Sequence, residues 1–142
     1  MLRGEGEYQV DDKGRLTIPP DLRKELDHGF FLTRGWHGCL FLFVWEKWRE
    51  IEKKLAEARI TDMNAVAVQR FFCGGVVGKV DAQGRIGLPP TLREFAKVQK
   101  DVLVRGIIDR IEIWSKESWQ QYLESDLAPD NIAKKAEAMG LF

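Results

Sequence analysis

A chain of 142 residues can bury one sizeable core or two small cores that depend on each other. Its 22 Lys and Arg balance its 22 Asp and Glu, and residues 1–70 alone hold twelve of each, so any anionic partner must be met by geometry rather than by excess charge. Two cysteines without a CxxC pair or a histidine cluster argue against a disulfide framework and a structural zinc site, and we expect no metal and no cofactor. The N-terminal Met1-Leu2-Arg3-Gly4-Glu5 lacks the apolar core of a secretory signal. No stretch approaches the roughly 20 apolar residues of a membrane span, so the expectation is a soluble cytoplasmic protein.

Along the chain, Tyr8-x-Val10, a turn at Asp12-Lys13-Gly14 and Leu16-x-Ile18 read as a β-hairpin, with Gly14 supplying the positive φ of a tight connection. Pro19-Pro20-Asp21-Leu22-Arg23 opens a short helix, because a first-turn proline lacks only an N–H that would have no partner there. Phe31–Thr33 and Leu40–Val44 read as strands around a turn at Gly35–Gly38. A helix follows from about Glu46 to Arg59, with Trp48, Ile51 and Leu55 on one face. Residues 61–76 form a connector in which Ala65, Val68 and Phe72 share helical spacing. The same order then returns: a hairpin around Gly84, a short helix near Pro90, strands at Val102–Val104 and Ile111–Trp114, and a helix at Glu117–Glu124. A tail helix, from about Pro129 to Met139 and closed by Gly140, has no evident counterpart in the first half.

The return is close in sequence. Val10-Asp11-Asp12-Lys13-Gly14-Arg15-Leu16-Thr17-Ile18-Pro19-Pro20 is echoed by Val80-Asp81-Ala82-Gln83-Gly84-Arg85-Ile86-Gly87-Leu88-Pro89-Pro90, and Arg34-Gly35 and Glu46-x-Trp48 by Arg105-Gly106 and Glu117-x-Trp119. A repeat at this spacing means two copies of one small unit, each near the size where an isolated core is marginal, so a shared core about a pseudo-two-fold axis is expected. The units fall at residues 1–60 and 77–124, with a connector at 61–76 and a tail at 125–142.

Two Asp-x-x-Gly-Arg-apolar-x-apolar-Pro-Pro blocks, each with its downstream Glu-x-Trp, resemble the MraZ family within the AbrB-like superfamily; the resemblance covers about residues 1–124. It implies an α+β, β-rich fold of two tandem pseudo-symmetric AbrB-like units forming a swapped-hairpin, double-psi-type β-barrel with short flanking helices. It also implies a ring-like homo-oligomer that binds direct repeats in double-stranded promoter DNA. Family members regulate their own division and cell-wall operon, in the cytoplasm at the nucleoid. The family's Asp-x-x-x-Arg signature maps onto Asp11/Arg15 and Asp81/Arg85.

From the residues themselves, the candidate DNA contacts are Lys13 and Arg15 on the first turn, Gln83 and Arg85 on the second, and Arg3 from the N-terminus. Arginine forks onto guanine O6 and N7, lysine neutralises a phosphate or donates to the same base, and Gln83 reads adenine or contacts phosphate. A two-stranded ribbon is narrow enough for the major groove. Asp11, Gly14, Asp81 and Gly84 are expected to orient the turns; the Asp–Arg pairs also fit a purely structural role, and the two readings are compatible. Arg23 and Arg93 read as solvated helix residues, with phosphate contact as the other reading; both cysteines read as small buried hydrophobes, and part of the Phe30/Phe31 and Phe41/Phe43/Trp45 density as an oligomer interface. No phosphate loop, dinucleotide fingerprint or nucleophile elbow is present, and an enzyme or a small-molecule substrate is not expected. The alternative to a DNA-binding regulator is an antitoxin-like protein that inhibits a partner toxin.

Overall fold

The computed structural model describes residues 1–141; Phe142, the end of the expected tail, lies outside the described residues. In chain order the elements are β1 (Glu5–Gln9), β2 (Arg15–Thr17), α1 (Pro20–Arg23), β3 (Phe30–Arg34), β4 (Leu40–Val44), α2 (Trp45–Ala56), α3 (Met63–Phe72), β5 (Val76–Gly78), β6 (Arg85–Gly87), α4 (Pro90–Phe95), β7 (Asp101–Ile107), β8 (Arg110–Ser115), α5 (Lys116–Glu124) and α6 (Pro129–Ala138). Short 3-10 turns follow α1 and join β3 to β4. Among the described residues, no helix is long and apolar enough to cross a membrane.

The architecture is α+β. Six antiparallel strands run in the order β1-β7-β8-β4-β3-β5, and β2 pairs with β6 in a separate two-stranded sheet. The expected hairpins are not hairpins in the ladder sense. The arms of the first turn touch only at the Val10–Leu16 bridge and then part: β1 leaves to pair with β7 of the second copy, and β2 pairs with β6. In the second copy, β5 pairs with β3 of the first. Strands are thus exchanged between the copies. Among the described residues there is no closed barrel, however, because β1 and β5 are the two edges of the larger sheet. β2 and β6, three residues each, pair with one another and with neither edge of the larger sheet.

Both faces of the larger sheet are covered, which explains why Phe30–Thr33 and Leu40–Val44 read as continuous apolar runs rather than alternating ones. One face, with Phe30, Leu32, Leu40, Leu42, Val102, Val104, Ile111 and Ile113, packs against Leu16 and Ile86 of the ribbon and against Leu22, Leu26, Leu92 and Ala96. The other face carries Phe31, Phe41, Phe43 and Trp114, roofed by Trp48 of α2 and Phe72 of α3. Phe31 stacks on Trp48 at 3.8 Å between ring centroids. The aromatic density expected at an oligomer interface is therefore mostly a second internal core; Trp45 alone of that group is only half-buried.

Three further expectations are corrected. On α3 Val66 and Phe72 are buried and Ala65 is half-buried, but Val68 is exposed; half-buried Gln69 donates to the Leu55 carbonyl at 2.8 Å, so a polar side chain holds a position that apolar spacing alone passes over. Cys39 is buried but Cys73 is exposed beyond the end of α3. The tail helix α6 does have a counterpart by order: it follows α5 as α3 follows α2, but none of its residues is buried. Ladder register also realigns the copies. Phe30 faces Gly78 and Val102 faces Tyr8, so β3 and β7 correspond at an offset of 72, against 70 in the turns, and Thr33 rather than Arg34 is the counterpart of Arg105.

Candidate functional site

Each repeated motif folds into the same tight turn for a local reason. The Asp11 carbonyl accepts from the Gly14 N–H at 3.0 Å, and the Asp11 N–H donates to the Arg15 carbonyl at 2.9 Å. Gly14 has φ +75° and Gly84 φ +79°, a region that glycine enters without a Cβ penalty. The aspartate side chain then clamps the turn from inside. Asp11 Oδ1 accepts the Lys13 and Arg15 N–H groups at 3.0 and 2.8 Å, and Oδ2 accepts Arg15 Nε at 2.8 Å. Asp81 repeats this with Gln83 N, Arg85 N and Arg85 Nε at 2.9, 2.8 and 2.9 Å. The Arg15 N–H, followed by its guanidinium and the Lys13 N–H, outweighs desolvation and holds the Asp11 carboxyl below the usual carboxylate range. The Arg85 N–H does the same for Asp81. The ion-pair reading of these residues is thus realised. Each guanidinium is bound to its aspartate through Nε rather than through its outer nitrogens.

The two turns lie at opposite ends of one ribbon. Arg15 faces Gly87, Leu16 faces Ile86 and Thr17 faces Arg85. Side chains alternate across a sheet, so Leu16 and Ile86 enter the core while Arg15, Thr17, Arg85 and Gly87 share the outward face. Arg15 and Arg85 are diagonal neighbours on that face, roughly 7–8 Å apart. They are not equivalent: Arg85 Nη2 also donates to Gln83 Oε1 at 3.3 Å, whereas the Lys13 side chain offers no acceptor and, among the described residues, Arg15 bonds through its side chain to Asp11 alone. Arg15 is correspondingly the more exposed, 34% against 27%.

Arg23 and Arg93 correct the solvated-helix expectation. A Cβ on Gly14 would lie 3.0 Å from Arg93 Cζ, and one on Gly84 would run into the Arg23 guanidinium. Each turn is therefore backed by an arginine of the other copy. Arg23 Nη2 donates to the Ile18 carbonyl at 2.9 Å, while the Arg93 side chain has no hydrogen-bond partner among the described residues. The signal was in the sequence: Arg23 and Arg93 sit at identical places in the repeat. Only the exchange of strands shows which turn each one meets. Arg3 is exposed and stays apart, because Leu2 pairs with Ile108 at the far end of β1, on the order of 20 Å along the strand from the first turn.

Other chemistry-bearing residues remain outside this cluster. His28 is exposed, His37 lies 3.8 Å from Asp126, and no group of His, Cys, Asp and Glu among the described residues could hold a metal ion. Burial and the nearby Glu112 raise the Cys39 thiol far above its usual range. Glu112 itself, 8% exposed, accepts from Arg110 Nε at 3.0 Å and from Trp114 Nε1 at 3.1 Å.

Comparison with known proteins agrees with this two-fold organisation. The family described as "MraZ protein, putative antitoxin-like" matches twice, at residues 1–71 and 71–142. Proteins named Transcriptional regulator MraZ are similar over the full length. That of Caldicellulosiruptor saccharolyticus is 43% identical, covering 99% of this chain and 100% of its own. That of Caldanaerobacter subterraneus is 46% identical, covering 94% and 95%. That of Clostridium botulinum is 38% identical, covering 99% and 100%. With two family matches running the length of the chain and relatives at this identity, the chain belongs to the MraZ family.

Proposed function

We propose that the protein is a transcriptional regulator that binds promoter DNA through the outward face of the β2–β6 ribbon. The observation that carries this reading is the pair of arginines, Arg15 and Arg85, each pre-oriented by an aspartate and both on one open face. Orientation matters because a guanidinium held at Nε has less side-chain entropy to lose on binding guanine or phosphate with its outer N–H groups, of which Arg85 already engages one on Gln83. Lys13 and Arg93 add cations at the first turn and Gln83 adds an amide at the second. A chain with no net charge gains affinity by repetition, so the reading includes a ring-like homo-oligomer on direct repeats upstream of its own operon, where each bound protomer raises the effective concentration of the next. It acts without catalysing a reaction, in the cytoplasm at the nucleoid.

The test is a titration of the full chain against the DNA upstream of its own gene and a scrambled control, at several salt concentrations. Neutralising about three phosphates per engaged protomer gives a slope of log affinity on log salt of about −3. Selective binding that is lost in Arg15→Ala, with folding retained, supports the reading; equal weak binding to both DNAs overturns it. The family description favours one alternative, an antitoxin-like protein that binds a partner toxin. Co-purification of a stoichiometric small protein, without DNA selectivity, would favour that role.

A further inference from the structure

The ribbon is pseudo-symmetric in its backbone but not in its outward face. At the two central outward positions the copies differ: Thr17 stands directly across from Arg85, and Gly87 directly across from Arg15. Both are exposed. A Cβ built on Gly87 meets no heavy atom within 4 Å, so neither packing nor backbone conformation calls for glycine there. A glycine without a folding reason, on the face that carries the arginines, marks a place where another molecule comes close to the backbone.

Resting on the DNA-binding reading above, we infer that Gly87 is a specificity-determining position that lets the Arg15 end of the ribbon sit deeper in the groove than the Arg85 end. Directly opposed side chains in a sheet lie about 4.5–5.5 Å apart at Cβ, so a residue at 87 would stand beside the Arg15 stem and hold the ribbon off the base edges. Thr17 does that at the other end. The remaining asymmetries point the same way. Arg85 is tied to Gln83 as well as Asp81, whereas among the described residues Arg15 is bound by Asp11 alone and has Lys13 and the unpartnered Arg93 beside it. Arg15 accordingly reads bases and Arg85 touches the backbone. The ribbon, tilted in this way, has a direction. A symmetric ribbon would bind either way round, whereas direct repeats require every protomer to face the same way.

The experiment measures affinity of the full-length protein for the DNA upstream of its own gene and for single-base variants, using wild type, Gly87→Ala, Gly87→Thr, Arg15→Ala, Arg85→Ala and the Gly87→Thr/Arg15→Ala pair. Gly87→Thr should not lower the melting temperature and should weaken binding by about fivefold to a hundredfold, the range for losing a bidentate base contact. Gly87→Ala should fall between. In the double variant, Gly87→Thr should add nothing to the loss from Arg15→Ala, and discrimination at the guanine read by Arg15 should vanish in both single variants. Wild-type affinity in Gly87→Thr, with Arg15→Ala still damaging, overturns the inference and leaves DNA binding standing. Additive losses overturn it too, because they mean that Gly87 acts on something other than Arg15. If wild type does not distinguish its promoter from scrambled DNA, the DNA-binding reading itself fails.

Discussion

Alanine at the two turn glycines provides a sharp test of the crossed arginines. Gly14 and Gly84 have nearly the same φ, +75° and +79°, so the backbone cost of a Cβ is the same at both, about 1–2 kcal/mol. Their surroundings differ. At Gly14 the new methyl meets the Arg93 guanidinium at 3.0–3.2 Å, and this group has no hydrogen bond to lose, so a small swing relieves the contact. At Gly84 the methyl displaces the Arg23 guanidinium, which must give up its 2.9 Å bond to the Ile18 carbonyl. A charge-assisted bond adds about 1.5–3 kcal/mol, so Gly84→Ala should cost about 2 kcal/mol more than Gly14→Ala. In a chain of this size the difference corresponds to roughly 6–8 °C in melting temperature. Urea unfolding of both variants gives the comparison directly, and Gly84→Ala in an Arg23→Ala background should cost only the backbone part. Costs equal to within about 0.5 kcal/mol, or a larger cost at Gly14, would refute the argument that Arg23 is anchored and Arg93 is not.

Two further outcomes follow from single interactions. Thr33, fully buried, donates Oγ1–H to the Phe72 carbonyl at 2.6 Å, and that carbonyl also accepts the Gly75 N–H at 3.2 Å. Thr33→Val should therefore cost only about 1 kcal/mol, while hydrogen exchange at the end of α3 speeds up relative to the sheet. Asp11 and Asp81 have folded-state pKa values held below the ordinary 3.8, so the stability they contribute is present above about pH 4 and is lost as pH falls through the lowered values. The Asp11→Asn/Asp81→Asn variant should lose that acid-side dependence, whereas an unchanged slope below pH 4 in an acid titration followed by circular dichroism would refute the assignment.

The turns were legible in the sequence because their logic is local. Asp-x-x-Gly-Arg contains the clamp, the left-handed residue and the clamped side chain within five positions, and the structure closes them much as the spacing suggests. Helix starts at Pro20 and Pro90 were legible for the same reason. What the two arms of each turn pair with was not. Whether β1 bonds to β2 or to β7 depends on partners almost a hundred residues away, and a strand's own pattern says only that it has a buried side. On α3 apolar spacing points to Val68, which is exposed, and passes over Gln69, whose amide caps the end of α2 from inside. Arg23 and Arg93 were visible as repeated positions, but their role depends on the exchanged strands. The Gly87–Arg15 pairing needs the ladder register, which the β2–β6 pairing alone supplies.

The exchange of strands also sets a timetable for synthesis. β1 leaves the ribosome well ahead of its ladder partner, Asp101–Arg105. At 5–20 residues per second, β1 waits roughly 5–20 s for that partner, with its backbone N–H and C=O groups unpaired for the interval. Its alternation of Glu5, Glu7 and Gln9 with Gly6 and Tyr8 puts charge along an edge that would otherwise invite pairing with another nascent chain. The acidic residues of β1 thus guard a segment that must stay solitary longest, and their replacement by valine should raise the aggregated fraction during expression more than it lowers the stability of the finished fold.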